Sequence, residues 1–164
     1  KGLGRLGTRL FSAASQHQVK TYSESYTLKT LEITDVDAIQ RKVNYRDESP
    51  KTDGHNLPPL VIIGGTAQTI NTFLPHIQTI RRKRRLIIFE LRGQGQTELD
   101  SNHCTMNQLV ADVNSILQSL QVPKIHLAGF SFGGRVALAF TATHPKLVEK
   151  VSITGVPLVR PALG

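Results

Sequence analysis

The chain has 164 residues, 39% of them hydrophobic, one cysteine and a formal net charge of +8. That is enough apolar chain for one packed domain, which excludes wholesale disorder. No run of about 18 apolar residues offers a membrane-spanning helix, and a lone Cys104 excludes an internal disulfide framework or a multi-cysteine zinc site. The positive charge is local. Residues 1–23 carry Lys1, Arg5, Arg9 and Lys20 and no acid, Arg81 to Arg85 reads RRKRR, and the remainder is close to neutral. A tail and a cluster do not make the basic face that a nucleic acid needs, so no nucleic-acid partner is expected.

The first residue is Lys1 rather than methionine. Residues 1–25 are expected to form a separate basic segment, the remnant of an organelle-targeting sequence, with residues 26–164 as the folded part. Within that segment Arg5 and Arg9 would form one helical stripe, and Leu3, Leu6, Leu10 and Phe11 another. Arg9-Leu10-Phe11 before Ser12 resembles a mitochondrial processing pattern, so a mitochondrial or plastid location is expected.

Residues 26–34 and 39–45 predict two strands joined as a hairpin. Residues 46–56 are a polar stretch full of turn formers and predict a loop. Leu60–Ile63 is a short continuous apolar run, the pattern of a strand buried on both faces. Gly64, Gly65 and Thr66 follow, and residues 69–80 have helical spacing of Ile70, Phe73, Leu74, Ile77 and Ile80. Arg81 to Arg85 predict the solvated end of that helix. Leu86–Phe89 is another apolar strand.

Residues 105–120 give the clearest helical period, opened by Thr105 and Gln108 at capping-box spacing. Cys104 before it is expected to be a small packing residue. Residues 125–128 predict a further buried strand, with His126 as a hydrogen-bonded core histidine. Phe132–Thr143 predicts a helix that ends before Pro145, and Val148–Thr154 predicts a last strand. Strands alternating with helices imply a parallel sheet behind the hairpin.

Gly129-Phe130-Ser131-Phe132-Gly133-Gly134 lies between a predicted strand and a predicted helix. This is G-x-S-x-G in the strand–turn–helix setting of a nucleophile elbow. The serine must stand on a sharp, strained turn so that its hydroxyl clears the sheet, and a side chain at either glycine would strike a neighbouring strand or helix. The helix N-terminus beside Ser131 supplies N–H groups and positive potential for a developing oxyanion. No metal cluster, phosphate-binding loop or dinucleotide fingerprint is present, and the chemistry requires no cofactor.

Three segments together resemble the α/β-hydrolase fold family. Residues 60–66 resemble its third strand and oxyanion loop. Glu90-Leu91-Arg92-Gly93-Gln94-Gly95-Gln96-Thr97 resembles its D-x-R-G-x-G-x-S segment, and residues 129–134 resemble its elbow. The resemblance covers about residues 26–157. It implies an α/β fold with a mostly parallel sheet and an N-terminal hairpin, cut after about the sixth strand. It also implies that backbone N–H groups of Thr66 and Phe132 form the oxyanion hole. Gly64 stands where the family usually has a histidine that shapes the loop. Glu90, Gln94 and Thr97 replace the usual Asp, His and Ser.

The triad order in this fold is Ser, then Asp or Glu, then His. After Ser131 the chain holds one histidine, His144, and one acid, Glu149, in the reverse order. His144 reads as a helix-end residue. The chain is therefore expected to be the N-terminal half of a serine hydrolase whose acid and histidine lie further on, inactive by itself. The implied substrate is a small-molecule ester, thioester or amide. Two alternatives stand beside this one: a carbon–carbon hydrolase or lyase resembling the menaquinone-pathway synthase branch, and a binding protein that retains the fold without catalysis.

Overall fold

The computed structural model describes residues 28–34, 38–50, 57–99 and 104–156. The basic N-terminal segment lies outside the described residues. Among the described residues, six strands form one sheet: β1 (Lys29–Thr34), β2 (Gln40–Glu48), β3 (Leu60–Ile63), β4 (Leu86–Phe89), β5 (Ile125–Phe130) and β6 (Val148–Thr154). Their order across the sheet is β1-β2-β4-β3-β5-β6. β1 and β2 pair antiparallel, and β2 pairs antiparallel with β4. From β4 outward all pairs are parallel. The sheet is thus mostly parallel, with an N-terminal hairpin.

Three helices connect the parallel strands: α1 (Leu74–Ile80), α2 (Met106–Ser119) and α3 (Phe132–Thr143). A 3-10 turn, Ile70–Phe73, precedes α1, so the single helix expected over residues 69–80 is two pieces. Pro75 explains the break: it sits in the first turn of α1, where its missing N–H costs nothing. α2 carries the expected capping box between Thr105 and Gln108.

Strand alternation sorts the core into two layers. Val61, Ile63, Ile87, Phe89 and Leu127 face a cluster completed by Val113, Ile116, Val136 and Phe140 of α2 and α3. Ile62, Leu86 and Ile88 face the other cluster, with Ile70, Phe73 and Ile77. Both faces of β3 and β4 are covered, which is why their sequences are unbroken apolar runs.

The polar stretch after residue 45 is not all loop. Arg46, Asp47 and Glu48 continue β2 and pair with Ile88, Ile87 and Leu86. The basic run supplies the reason, and it is not simply solvated. Arg85 binds both Asp47 oxygens, at 2.8 and 2.7 Å. Arg81 donates to Glu48 at 2.8 Å. Arg84 donates to the Pro58 carbonyl. Charge pairing holds a polar strand end in the ladder.

Candidate active site

Connections from β3 and β5, which are neighbours, leave to opposite faces of the sheet. β3 runs into α1 on one face and β5 into α3 on the other. Such a reversal opens a crevice at the carboxyl ends of the two strands, where open α/β sheets bind ligands. Residues 64–68 and Ser131 lie at those carboxyl ends.

Ser131 joins β5 to α3 with φ 51° and ψ −117°, a conformation disfavoured for any residue with a side chain. Its neighbours hold it there. The Ser131 N–H donates to the Thr154 carbonyl at 2.8 Å, and the Gly134 N–H donates to the Ser131 carbonyl at 3.0 Å. The residue itself is exposed.

The flanking glycines are required by contact. A Cβ at Gly129 would lie 2.6 Å from the Gly133 carbonyl oxygen and 2.8 Å from Ala137 Cβ, inside the helix. One at Gly133 would strike the carbonyl oxygens of Ile63 and Gly64, at the end of β3. One at Gly134 would strike Val156. Strand, turn and helix close on one another only without side chains at these positions.

The loop after β3 lies directly against the serine. A Cβ at Gly65 would sit 2.9 Å from Ser131 Cβ and 3.0 Å from the Phe130 carbonyl oxygen. Residues 65–68 form a tight turn, with the Gln68 N–H donating to the Gly65 carbonyl at 3.1 Å and Ala67 at φ 61°. Thr66 is the second residue of this turn and is exposed. Phe132 is the first residue of α3, where no carbonyl one turn back accepts its N–H. The structure therefore brings the segments carrying Thr66, Ser131 and Phe132 to one place.

A second layer of polar contacts fixes the loop after β4. Glu90 is buried and accepts from the N–H groups of Ile70 (3.3 Å) and Gln96 (2.8 Å). Gly95, at φ 56°, leaves room for that carboxylate. Thr97 Oγ1 accepts from the Asn44 N–H at 3.0 Å, tying the loop to β2. Arg92 reaches Asp112 of α2 through two bonds of 2.8 and 2.6 Å, both side chains almost fully buried. Sequence reasoning did not find Asp112. Its signal was an acid on the apolar stripe of α2, between Leu109 and Val113.

Neither described histidine at this end of the chain reaches the serine. His126 lies five residues down β5, about 16 Å along the strand, and pairs with Glu149 at 3.2 Å. That bears out its reading as a hydrogen-bonded core histidine. His144 follows the far end of α3, about 18 Å of helix away. Its ring stacks on Phe140 at 4.7 Å and meets Thr143 Oγ1 at 2.8 Å. Cys104 is exposed rather than packed. Desolvation raises its thiol above the ordinary value, the wrong direction for a thiolate nucleophile.

Known proteins resemble the chain in sequence and in fold. A proline iminopeptidase of Arabidopsis thaliana is 30% identical over 147 residues, covering 84% of this chain and 34% of its own length. The sn-1-specific diacylglycerol lipase ABHD11 of Xenopus laevis is 33% identical over 107 residues, covering 62% of this chain and 34% of its own. The chain thus spans about a third of the length of these relatives. The crystal structure of a hydrolase from Pseudomonas aeruginosa superposes with a TM-score of 0.72 at 22% identity, over 84% of this chain and 49% of that one. The family model described as alpha/beta hydrolase fold matches residues 58–162. With its sheet order, its strained serine turn and this match in agreement, the chain belongs to the α/β-hydrolase fold family.

Proposed function

We propose that the full-length protein is a serine hydrolase that cleaves an ester, thioester or amide of a small molecule, with Ser131 as nucleophile. The carrying observation is the backbone of Ser131: φ 51° at a strand–helix turn, at the carboxyl ends of parallel strands, with Gly65 packed on its Cβ. Strain of this kind persists where a site requires it. Relatives named as a peptidase and a lipase, together with a 3-oxoadipate enol-lactonase from Acinetobacter baylyi at 30% identity, support acyl-bond cleavage as the reaction class.

In this reading Ser131 Oγ attacks the carbonyl carbon while its proton passes to an imidazole. The carbonyl oxygen becomes an oxyanion held by the N–H groups of Thr66 and Phe132, assisted by the positive N-terminus of α3. Collapse expels the alcohol, thiol or amine, which takes the proton, and water then releases the acyl group by the same route. His126 and His144 are engaged elsewhere, and by the fold's Ser–acid–His order the imidazole in this reading follows the nucleophile in the sequence.

The test uses the full-length protein. A fluorophosphonate probe should label Ser131, and a panel of p-nitrophenyl esters, thioesters and aminoacyl amides should identify the turned-over class. Ser131→Ala should abolish both labelling and turnover. Labelling without turnover of any acyl substrate would redirect the reading to carbon–carbon bond cleavage. Absence of both would leave a binding protein. We further propose that residues 1–23 direct the protein to an organelle; a fluorescent fusion that keeps its location when they are deleted would refute this.

A further inference from the structure

Two glutamine side chains hold Gly65, one at its N–H and one at its carbonyl. The Gly65 N–H donates to Gln68 Oε1 at 2.6 Å. The Gly65 carbonyl accepts from the Gln68 N–H at 3.1 Å and from Gln94 Nε2 at 3.3 Å. Gln68 therefore closes the turn twice, once through its backbone and once through its side chain. Gln94 pins the same residue from the loop after β4.

In a turn closed from its first to its fourth residue, the N–H groups of the two central residues make no bond within the turn and point outward. Thr66 holds the first central position. Orientation of the Thr66 N–H thus depends on how firmly the Gly65–Thr66 peptide is held, and every polar group of Gly65 is tied by Gln68 or Gln94. Glycine at 64 leaves room for the arrangement. A Cβ there would lie 3.2 Å from Gln68 Cβ and 3.3 Å from Phe73 Cε2. A larger residue would press on the position Gln68 takes beneath the loop.

We infer that Gln68 and Gln94 are positioning residues that clamp Gly65 so that the Thr66 N–H faces the oxyanion formed at Ser131. This rests on the reading of Ser131 as nucleophile and Thr66 as oxyanion donor. The two glutamines do not touch substrate. They act by removing freedom from the peptide that does, and a donor about 1 Å out of place costs about 10²-fold in rate. The effect belongs to the transition state, where the oxyanion exists, and not to ground-state binding.

The full-length protein carrying Gln68→Leu should show kcat lowered about 10²-fold, with KM within about twofold and an unchanged melting temperature. Gln94→Leu, which leaves the turn's own two bonds in place, should lower kcat about tenfold with the same split. Fluorophosphonate labelling of Ser131, which forms a tetrahedral adduct in the same hole, should slow in step with kcat in both variants. If Gln68→Leu does not fold, the result for Gln94→Leu decides. Ser131-dependent turnover in the unaltered protein, with kcat in the folded variants within twofold of it, would overturn this inference alone. So would losses that track a fall in melting temperature. If the unaltered protein shows no Ser131-dependent turnover, the reading beneath fails and the inference falls with it.

Discussion

At Ser131 a strained backbone coincides with the proposed nucleophile. Its backbone lies where a side chain is disfavoured, and the turn is held by hydrogen bonds to Thr154 and Gly134. Such a conformation costs about 1–3 kcal/mol. Replacing the serine separates the two roles. Ser131→Ala should remove turnover by about 10⁴–10⁶-fold in the full-length protein and leave stability nearly unchanged, because alanine is strained too. Ser131→Gly should remove turnover equally but raise stability by about 1 kcal/mol, read as a higher denaturation midpoint. Equal midpoints for the alanine and glycine variants would mean that the turn is not strained.

At the scale of elements, an ion pair and a histidine–carboxylate contact do different work. Arg92 and Asp112 tie the loop after β4 to α2 through a bidentate pair with almost no solvent access. Removing one partner leaves a buried charge, so Asp112→Ala should cost about 3–5 kcal/mol in denaturant unfolding. Replacing both residues with apolar ones of similar size should recover much of that loss. The buried His126 of β5 reaches the exposed Glu149 of β6. Val148 aligns with Ile125 and Lys150 with His126, so Glu149 is the extra residue of a bulge. A bulge of this kind re-aims a side chain, here toward the imidazole. The bond to His126 holds the Glu149 carboxyl below its ordinary value of 4.5. A depressed carboxyl stabilises the fold above its unfolded value, and that contribution is lost as pH falls through the folded one. The acid limb of the stability curve should therefore be shallower for Glu149→Gln than for the unaltered protein. Identical limbs in denaturant melts at successive pH values below 4.5 would show that the pair is not coupled to folding.

For the molecule as a whole, the outer strand matters most. β6 is the last strand of the described sheet, with Val151 and Ile153 exposed at 41% and 37%. An open strand edge bearing apolar side chains invites pairing with another chain. Purified as these 164 residues alone, the protein should self-associate, and Val151→Lys with Ile153→Lys should reduce light scattering. The same preparation should leave p-nitrophenyl esters intact. Among the described residues that follow β4, His126 and His144 are engaged well away from Ser131, and a serine that no base activates is a poor nucleophile. Efficient ester turnover that His144→Ala abolishes would show that His144 reaches the serine after all.

The sequence by itself determined whatever depends on near neighbours along the chain. Unbroken apolar runs at residues 60–63 and 86–89 encode strands covered on both faces. Three- and four-residue spacing encodes α2, with its Thr105 cap. Gly129-x-Ser131-x-Gly133 encodes a turn that only glycines allow. Tertiary structure decided whatever depends on partners distant in sequence. Arg46, Asp47 and Glu48 read as loop because polar residues form a strand only when something pairs with them, and Arg81 and Arg85 become that something once β4 lies beside β2. Asp112 is an acid on an apolar stripe whose role exists only once Arg92 arrives from a loop 20 residues away. Gln68 and Gln94 carry no motif signal, since an amide acquires a role only from the peptide it meets, and that peptide is Gly65, 29 residues before Gln94. Local pattern specifies elements because backbone geometry is local. Site geometry is set by contacts between elements, and those exist only once the sheet has ordered its strands.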